Sequence, residues 1–372
     1  MKAKSSKKLA AALAKAVPAK KAATKAAKPA IRPSVKKTHG AGANGTSTNG
    51  HAKPRTPRKH SALTDHSPAS TVKKAGAWEN ETKPIIYVNG KFVGKGQAVI
   101  SVYDHGLLYG DGCFEGIRVY KGKIFKCGQH MDRLWRSAEA LRLRIPVSRD
   151  EMVRIMRECI DANNIVNGYI RLVITRGYGS LGLNPFKCPE AGVICICDQI
   201  SLYPPEVYSS GMKVIVAKRL RTPVACLDPR VKSLNYLNNI LAKVEAIDAG
   251  CLEAVMLNLD GNVCECTGDN IFMINEGKLY TPPTEAGILE GITRRFVMDL
   301  CADLGISCTV RNIRPEELKG ADEVFLTGSA AEIIAVSQID ESRIGGGAEG
   351  PVTRRLREAF RKVVTSDAVP ED

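Results

Sequence analysis

Apolar residues recur at two different periods along this chain, and the period marks the elements. Between Arg230 and Gly250, in RVKSLNYLNNILAKVEAIDAG, positions Leu234, Leu237, Ile240, Leu241, Val244 and Ile247 repeat at helical spacing. Ser233 is placed to cap that helix and Gly250 to stop it. Met131, Leu134, Ala138 and Leu141 predict a helix that ends before Pro146, with Arg133 in its first turns. A further helix starts at Ser148, where Glu151 completes a capping box ahead of the apolar face Met152, Ile155, Met156, Cys159 and Ile160. Gly291-Ile292-Thr293 opens another, with Phe296, Val297, Leu300 and Leu304 on one side and Gly305 as its stop.

The strand pattern lies between these helices. IIYVNGKFV, from Ile85 to Val93, reads as a hairpin turning at Asn89-Gly90. Tyr169–Thr175, Val193–Cys197 and Met212–Ala217 read as strands. The run AVMLNLDGNVCECTGDNIFMINEGKLYTPP has turn signals at Asp260-Gly261 and Glu276-Gly277, which predicts an antiparallel meander. Gly106, Gly110, Gly112 and Gly116 interrupt apolar residues, as in a backbone bending closely past something or in a kinked strand. RGYGSLGLNPFKCPEAG is long and glycine-rich enough for a lid or binding loop. With Leu202-Tyr203-Pro204-Pro205 as linker, the pattern gives two α/β (α+β) halves, 84–203 and 204–372.

Charge changes the picture only at the N-terminus. The net charge of +15 looks like a nucleic-acid signal until it is placed along the sequence. Residues 1–78 hold 18 Lys and Arg against the single acid Asp65, and the remainder is close to neutral. The segment 1–83 is rich in Lys and Ala and has no aromatic residue before Trp78, so it cannot bury enough surface to offset its ordering entropy. A disordered extension is expected there. It could be a solvated appendage, a tail with weak polyanion affinity, or a targeting peptide, although it favours Lys over Arg and has no secretory apolar core. No apolar run approaches the ~20 residues of a membrane span. The 12 cysteines form no C-x-x-C pair, so they read as reduced core thiols of a cytoplasmic protein. His39, His51, His60 and His66 lie in the extension, which leaves His105 and His130 for the folded part and weakens any metal or triad hypothesis.

The candidate chemistry begins with Lys232, placed just outside the positive end of its expected helix. That end disfavours an ammonium, and a neutral amine is the nucleophile that forms a Schiff base with an aldehyde. From this stretch alone, a plain surface lysine is the favoured reading. Glu265 stands between apolar neighbours, so it is either at an exposed edge or paired to a buried cation. Gly291–Thr293 and the turn FLTGSAAE around Ser329 each offer N–H groups and a hydroxyl to a phosphate, and Arg133 could add charge. A lysine, an acid and a phosphate cup are the partners that pyridoxal phosphate requires.

The stretches YDHGLLYGDGCFEGIR, HMDRL, YIRLVITRG, VKSLNYLNNILAK, ECTGDNIF, GITRR and LTGSAAEI resemble the branched-chain amino acid aminotransferases among the fold type IV pyridoxal phosphate enzymes. The resemblance covers about 84–364. It implies a two-domain fold of the D-amino-acid aminotransferase kind, pyridoxal 5'-phosphate as cofactor, and a homodimer or a dimer-based hexamer. It implies transamination between leucine, isoleucine or valine and 2-oxoglutarate, giving 2-oxo acids and L-glutamate, as in branched-chain amino-acid biosynthesis. By resemblance Lys232 is catalytic and binds the cofactor covalently. Glu265 faces the ring nitrogen, Tyr236 the phenolic oxygen, and Arg133, Ile292, Thr293 and Ser329 the phosphate. Some relatives place the tyrosine one residue farther from the lysine. Tyr109, Phe114, Tyr169 and Ala330 line the substrate site, and Arg118 and Arg171 take the distal carboxylate of glutamate. A D-amino-acid aminotransferase or an aminodeoxychorismate lyase shares these parts. A nucleic-acid-binding protein, judged by the extension, is the remote alternative.

Overall fold

A computed structural model describes residues 77–200 and 203–372. The basic segment through residue 76 lies outside the described residues, and so do the expectations placed on it. The described residues begin before residue 84. Ala77–Asn80 form a 3-10 turn, Gly96 N donates to Glu81 O at 2.7 Å, and Lys95 pairs with Glu81 at 2.8 Å.

Two sheets divide the chain. The first contains β1 (Ile85–Val88), β2 (Lys91–Gly94), β3 (Gly112–Tyr120), β4 (Lys123–Ile124), β5 (Gly168–Thr175) and β6 (Gly192–Asp198), in the order β2-β1-β6-β5-β3-β4. The β1–β2 hairpin turns through Asn89 and Gly90 at φ 46° and 89°, both left-handed, as a two-residue turn requires. The glycine-rich stretch is not one kinked strand: a short helix, α1 (His105–Tyr109), capped by Asp104, comes before β3. Helices α2 (Cys127–Ala140) and α3 (Arg149–Ala162) cover the sheet. The α3 N-cap Ser148 accepts from Glu151 N, and its periodic face is buried, as the spacing predicted.

The second sheet contains β7 (Met212–Val216), β8 (Glu253–Leu257), β9 (Val263–Cys266), β10 (Asn270–Asn275), β11 (Lys278–Thr281), β12 (Cys308–Val310), β13 (Glu323–Gly328), β14 (Glu332–Ile339) and β15 (Ser342–Arg343). Its order is β12-β11-β10-β13-β14-β7-β8-β9, with β15 on β14. The expected meander is therefore two separate hairpins. β9 pairs with β8, whereas β10 sits between β11 and β13, and the short Thr267–Asp269 turn joins β9 to β10 without pairing them. The linker expectation also changes: α4 (Pro205–Ser210) follows it directly, and Tyr203 is buried in the second core. The halves are not separate packing units. Tyr120 and Phe125 pack with Phe272, Phe296 and Phe360, residues of β10, α6 (Ile292–Asp303) and the C-terminal helix Pro351–Val364.

The stretch around Lys232 departs most from its pattern. Helix α5 runs Leu237–Asp248 with Tyr236, not Ser233, at its N-cap. Residues 232–234 pair like a short strand with β3: Phe114 N donates to Lys232 O and Leu234 N to Gly112 O. The helix-end argument for Lys232 therefore fails. The periodic apolar face is also turned outward, since Leu237, Ile240, Leu241, Val244 and Ile247 are exposed while Asn239, Ala242 and Ala246 are buried. Small alanines let α5 lie close on β7 and β8, and the large residues point away.

Candidate active site

A cavity of about 500 Å³ lies where β3 and β5 of the first sheet meet β9, β10, the start of α6 and the β13–β14 turn. Phe114, Tyr169, Arg171, Lys232, Tyr236, Glu265, Arg133, Ile292, Thr293, Ser329 and Ala330 all line it. Eleven residues singled out in the sequence thus converge from both halves of the chain. Alternation along β3 and β5 accounts for part of this, because Phe114 and Gly116 share a face and stand opposite Val173 and Arg171. Glycine at 116 leaves room for the Tyr169 ring as placed: a Cβ would lie 1.7 Å from its hydroxyl.

At one end of the set, Lys232 Nζ donates to the Tyr236 hydroxyl at 3.1 Å and lies 4.6 Å from the centre of the Phe114 ring. Glu265 is buried on β9 and paired with a cation. Its Oε1 accepts from Arg221 at 2.8 Å, and Oε2 accepts from Leu289 N at 3.0 Å and Asn270 Nδ2 at 3.1 Å. Burial nevertheless raises its pKa, against the lowering effect of Arg221, the Leu289 N–H and Lys232.

The phosphate-type turns are real helix and hairpin starts. Gly291 is the N-cap of α6 and supplies no side-chain cap, so the first N–H groups of a 12-residue helix open toward the cavity wall at Ile292 and Thr293. Arg133 reaches this wall from α2 and is fixed from behind. Its Nε and Nη2 each donate to Glu115 at 2.7 Å, and its Nη1 donates to Glu290 O at 2.9 Å. His130 Nδ1 is 2.7 Å from the same carboxylate. Burial works to raise the Glu115 pKa, but Arg133 and His130 overcome it and hold the group ionised. Burial lowers the His130 pKa, so His130 binds as a neutral donor.

Two expected residues are elsewhere. Tyr109 does not line the cavity: it is partly exposed at the end of α1, where its hydroxyl accepts from Gly182 N at 3.0 Å. Arg118 is one step beyond Gly116 on the same face of β3, but its guanidinium turns to Glu332 at 3.1 Å and does not reach the cavity. Conversely, Arg221, Glu115, His130, Asn239 and Asn270 were not singled out as site residues. Arg221 is 44 positions from Glu265 and has no local signal. Glu115, a charge in the apolar run of β3, could have been found by its setting.

The residues present fit pyridoxal phosphate. The Thr327 Oγ1 at the cavity wall is buried with no hydrogen-bond partner among the described residues, so the wall has a donor to spare. A primary amine, a buried carboxylate, a helix N-terminus and an arginine share one space of the volume such ligands occupy.

Residues 112–339 match the amino-transferase class IV family model. Over 280 residues the chain is 46% identical to a Methanocaldococcus jannaschii protein provisionally named as a branched-chain-amino-acid aminotransferase, which covers 75% of this chain and 96% of that one. It is 34% identical over 282 residues to a D-alanine aminotransferase of Staphylococcus haemolyticus, which covers 76% and 98%. The T.th. branched-chain amino acid aminotransferase, crystallised with pyridoxamine 5'-phosphate, superposes with a TM-score of 0.73 at 37% identity, covering 76% of this chain and 94% of that one.

Proposed function

Since the chain belongs to the class IV aminotransferase family, we propose that this cavity transfers the amino group of a branched-chain L-amino acid to 2-oxoglutarate with pyridoxal phosphate as cofactor. One observation carries the reading: Lys232, Glu265 and the Arg133–α6 cup line the same cavity. When bound, the cofactor supplies an aldehyde that carries the amino group and a ring that accepts the electron pair released at the substrate Cα.

The chain's own residues do the rest. Lys232 is the covalent anchor and the base that takes the proton from the substrate Cα. The Tyr236 hydroxyl accepts from Lys232 Nζ and so holds the amine in place. Glu265, fixed by Arg221, Asn270 and the Leu289 N–H, would hold a proton at the ring nitrogen. Arg133, Ile292, Thr293 and Ser329 would hold the phosphate, with Glu115 orienting the arginine fork.

Phe114 and Tyr169 give the substrate side chain an apolar wall. The Arg171 guanidinium lies 4.7 Å from the Phe114 ring centre and 5.6 Å from that of Tyr169. One pocket can thus accept an aliphatic side chain against the rings and the distal carboxylate of glutamate against the arginine. The Ser329–Ala330 backbone would take the α-carboxylate. The exposed apolar residues of α5, together with Val99, Val102, Leu107 and Leu108 ahead of β3, support a homodimer. No helix among the described residues is long and apolar enough to cross a membrane.

Borohydride added to the holoenzyme should fix the cofactor to one peptide, the one containing Lys232, and Lys232→Ala should abolish both labelling and turnover. A label on another lysine removes Lys232 from this role. The similarity to D-alanine aminotransferases motivates a second reading within the family, in which D-alanine is the amino donor. Bleaching of the cofactor's visible band by L-leucine but not by D-alanine separates the two.

A further inference from the structure

Glu332 stands where a hairpin ordinarily uses glycine. The loop Ser329–Ala331 joins β13 to β14, and its flanking residues Gly328 and Glu332 pair. Glu332, the first residue of β14, has φ 60°, in the left-handed region that favours glycine. An L-residue with a Cβ is disfavoured there.

The side chain reaches the other sheet. Glu332 Oε1 accepts from Arg118 Nη2 at 3.1 Å and from the Tyr120 hydroxyl at 2.7 Å. Both donors lie on β3, on the face that carries Phe114 and Gly116 into the cavity. Arg118 and Glu332 are only 17% and 16% exposed, so solvent screens the pair far less than a surface ion pair. The Arg118 guanidinium also lies 5.0 Å from the Tyr120 ring centre. Burial, and then the neighbouring Glu332 carboxylate, push the Tyr120 hydroxyl pKa up, so it remains a donor.

We propose that Glu332, Arg118 and Tyr120 form a strut that fixes the Ser329–Ala330 turn against β3 and so presets the backbone N–H groups that receive the substrate α-carboxylate. None of the three lines the cavity, whereas Ser329 and Ala330 do. They are positioning residues, and Arg118 acts through Glu332 without touching substrate. The inference rests on reading the cavity as the amino-acid site.

The test uses two halves of leucine on the holoenzyme: 4-methylpentanoate, which lacks the amino group, and 3-methylbutylamine, which lacks the carboxylate. Each is titrated against the visible band. Glu332→Gly frees the backbone and cuts the tie to β3. It should weaken 4-methylpentanoate about tenfold, by roughly the worth of one hydrogen bond to a charged group. The KM for L-leucine should rise more than kcat falls, and amine binding should stay within about twofold. Glu332→Gln keeps an acceptor in place and should fall between Glu332→Gly and wild type. If Glu332→Gly does not fold, Tyr120→Phe, which removes one hydroxyl, carries the same comparison of the two probes. Unchanged carboxylate affinity, or equal weakening of both probes, overturns the strut. Failure of the wild-type protein to bind 4-methylpentanoate overturns the amino-acid site itself.

Discussion

Asp269 is a cavity-wall carboxyl in a setting that resists its charge. Burial raises its pKa to about 7, and the nearby Glu253 carboxylate adds to the effect. Glu253 is already satisfied by Ala254 N, Thr267 N and the Thr267 hydroxyl. The folded state therefore holds a proton that the unfolded chain releases near its ordinary value of 3.8. Between those two values the unfolded state binds fewer protons, so stability falls as pH rises, and the loss is complete above about 7. Asp269→Asn has no charge to bury. Its stability relative to wild type should rise between pH 5 and pH 8 by on the order of 1–3 kcal/mol, given about 1.4 kcal/mol per unit of pKa displacement. Parallel curves of thermal midpoint against pH would show that Asp269 ionises in the folded protein at no cost.

Helix α5 shows that spacing alone does not say which way a helix faces. Its apolar repeat is present, but Ala242, Ala246 and Asn239 take the inner side. Asn239 bonds Arg221 at 2.9 Å and Thr267 O at 2.8 Å, so a polar residue on the core side ties the helix to the cation that pairs with Glu265. The outward stripe then needs a cover, and a second copy of the chain is the cover that the family resemblance implies. Val244→Glu with Ile247→Glu, neither of which lines the cavity, should convert a dimer to a folded monomer in sedimentation analysis. A dimer of undiminished mass would place the interface elsewhere. The helices α2, α3 and α6 were legible because their large apolar residues do face a core.

The charge of the whole chain divides at the start of the described residues. All but one of the charged residues before Ala77 are basic, and the rest of the chain is nearly neutral. Deleting residues 1–76, while keeping the turn that packs on Gly96, should leave transamination nearly unchanged. The full-length protein should bind heparin weakly and lose it steeply with added salt, and the shortened one should not bind. Loss of activity in a folded, shortened protein would give the segment a place in the site or its assembly.

What the amino-acid order determined by itself was local: the Asn89-Gly90 turn, the Ser148 cap, the Gly291 helix start, the hydroxyl-rich turn at Ser329, and the residue types of a phosphate-and-imine chemistry. Each depends on neighbours within a few positions, where spacing fixes geometry. The helix-end reason that first singled out Lys232 did not survive, and the resemblance is what carries it. Tertiary structure alone decided the rest. It brought Arg221 to Glu265 across 44 positions, Glu115 to Arg133 across 18, and Arg118 to Glu332 across 214. Such pairs leave no periodic trace, because they form between elements that come together only as whole elements bury their faces against one another.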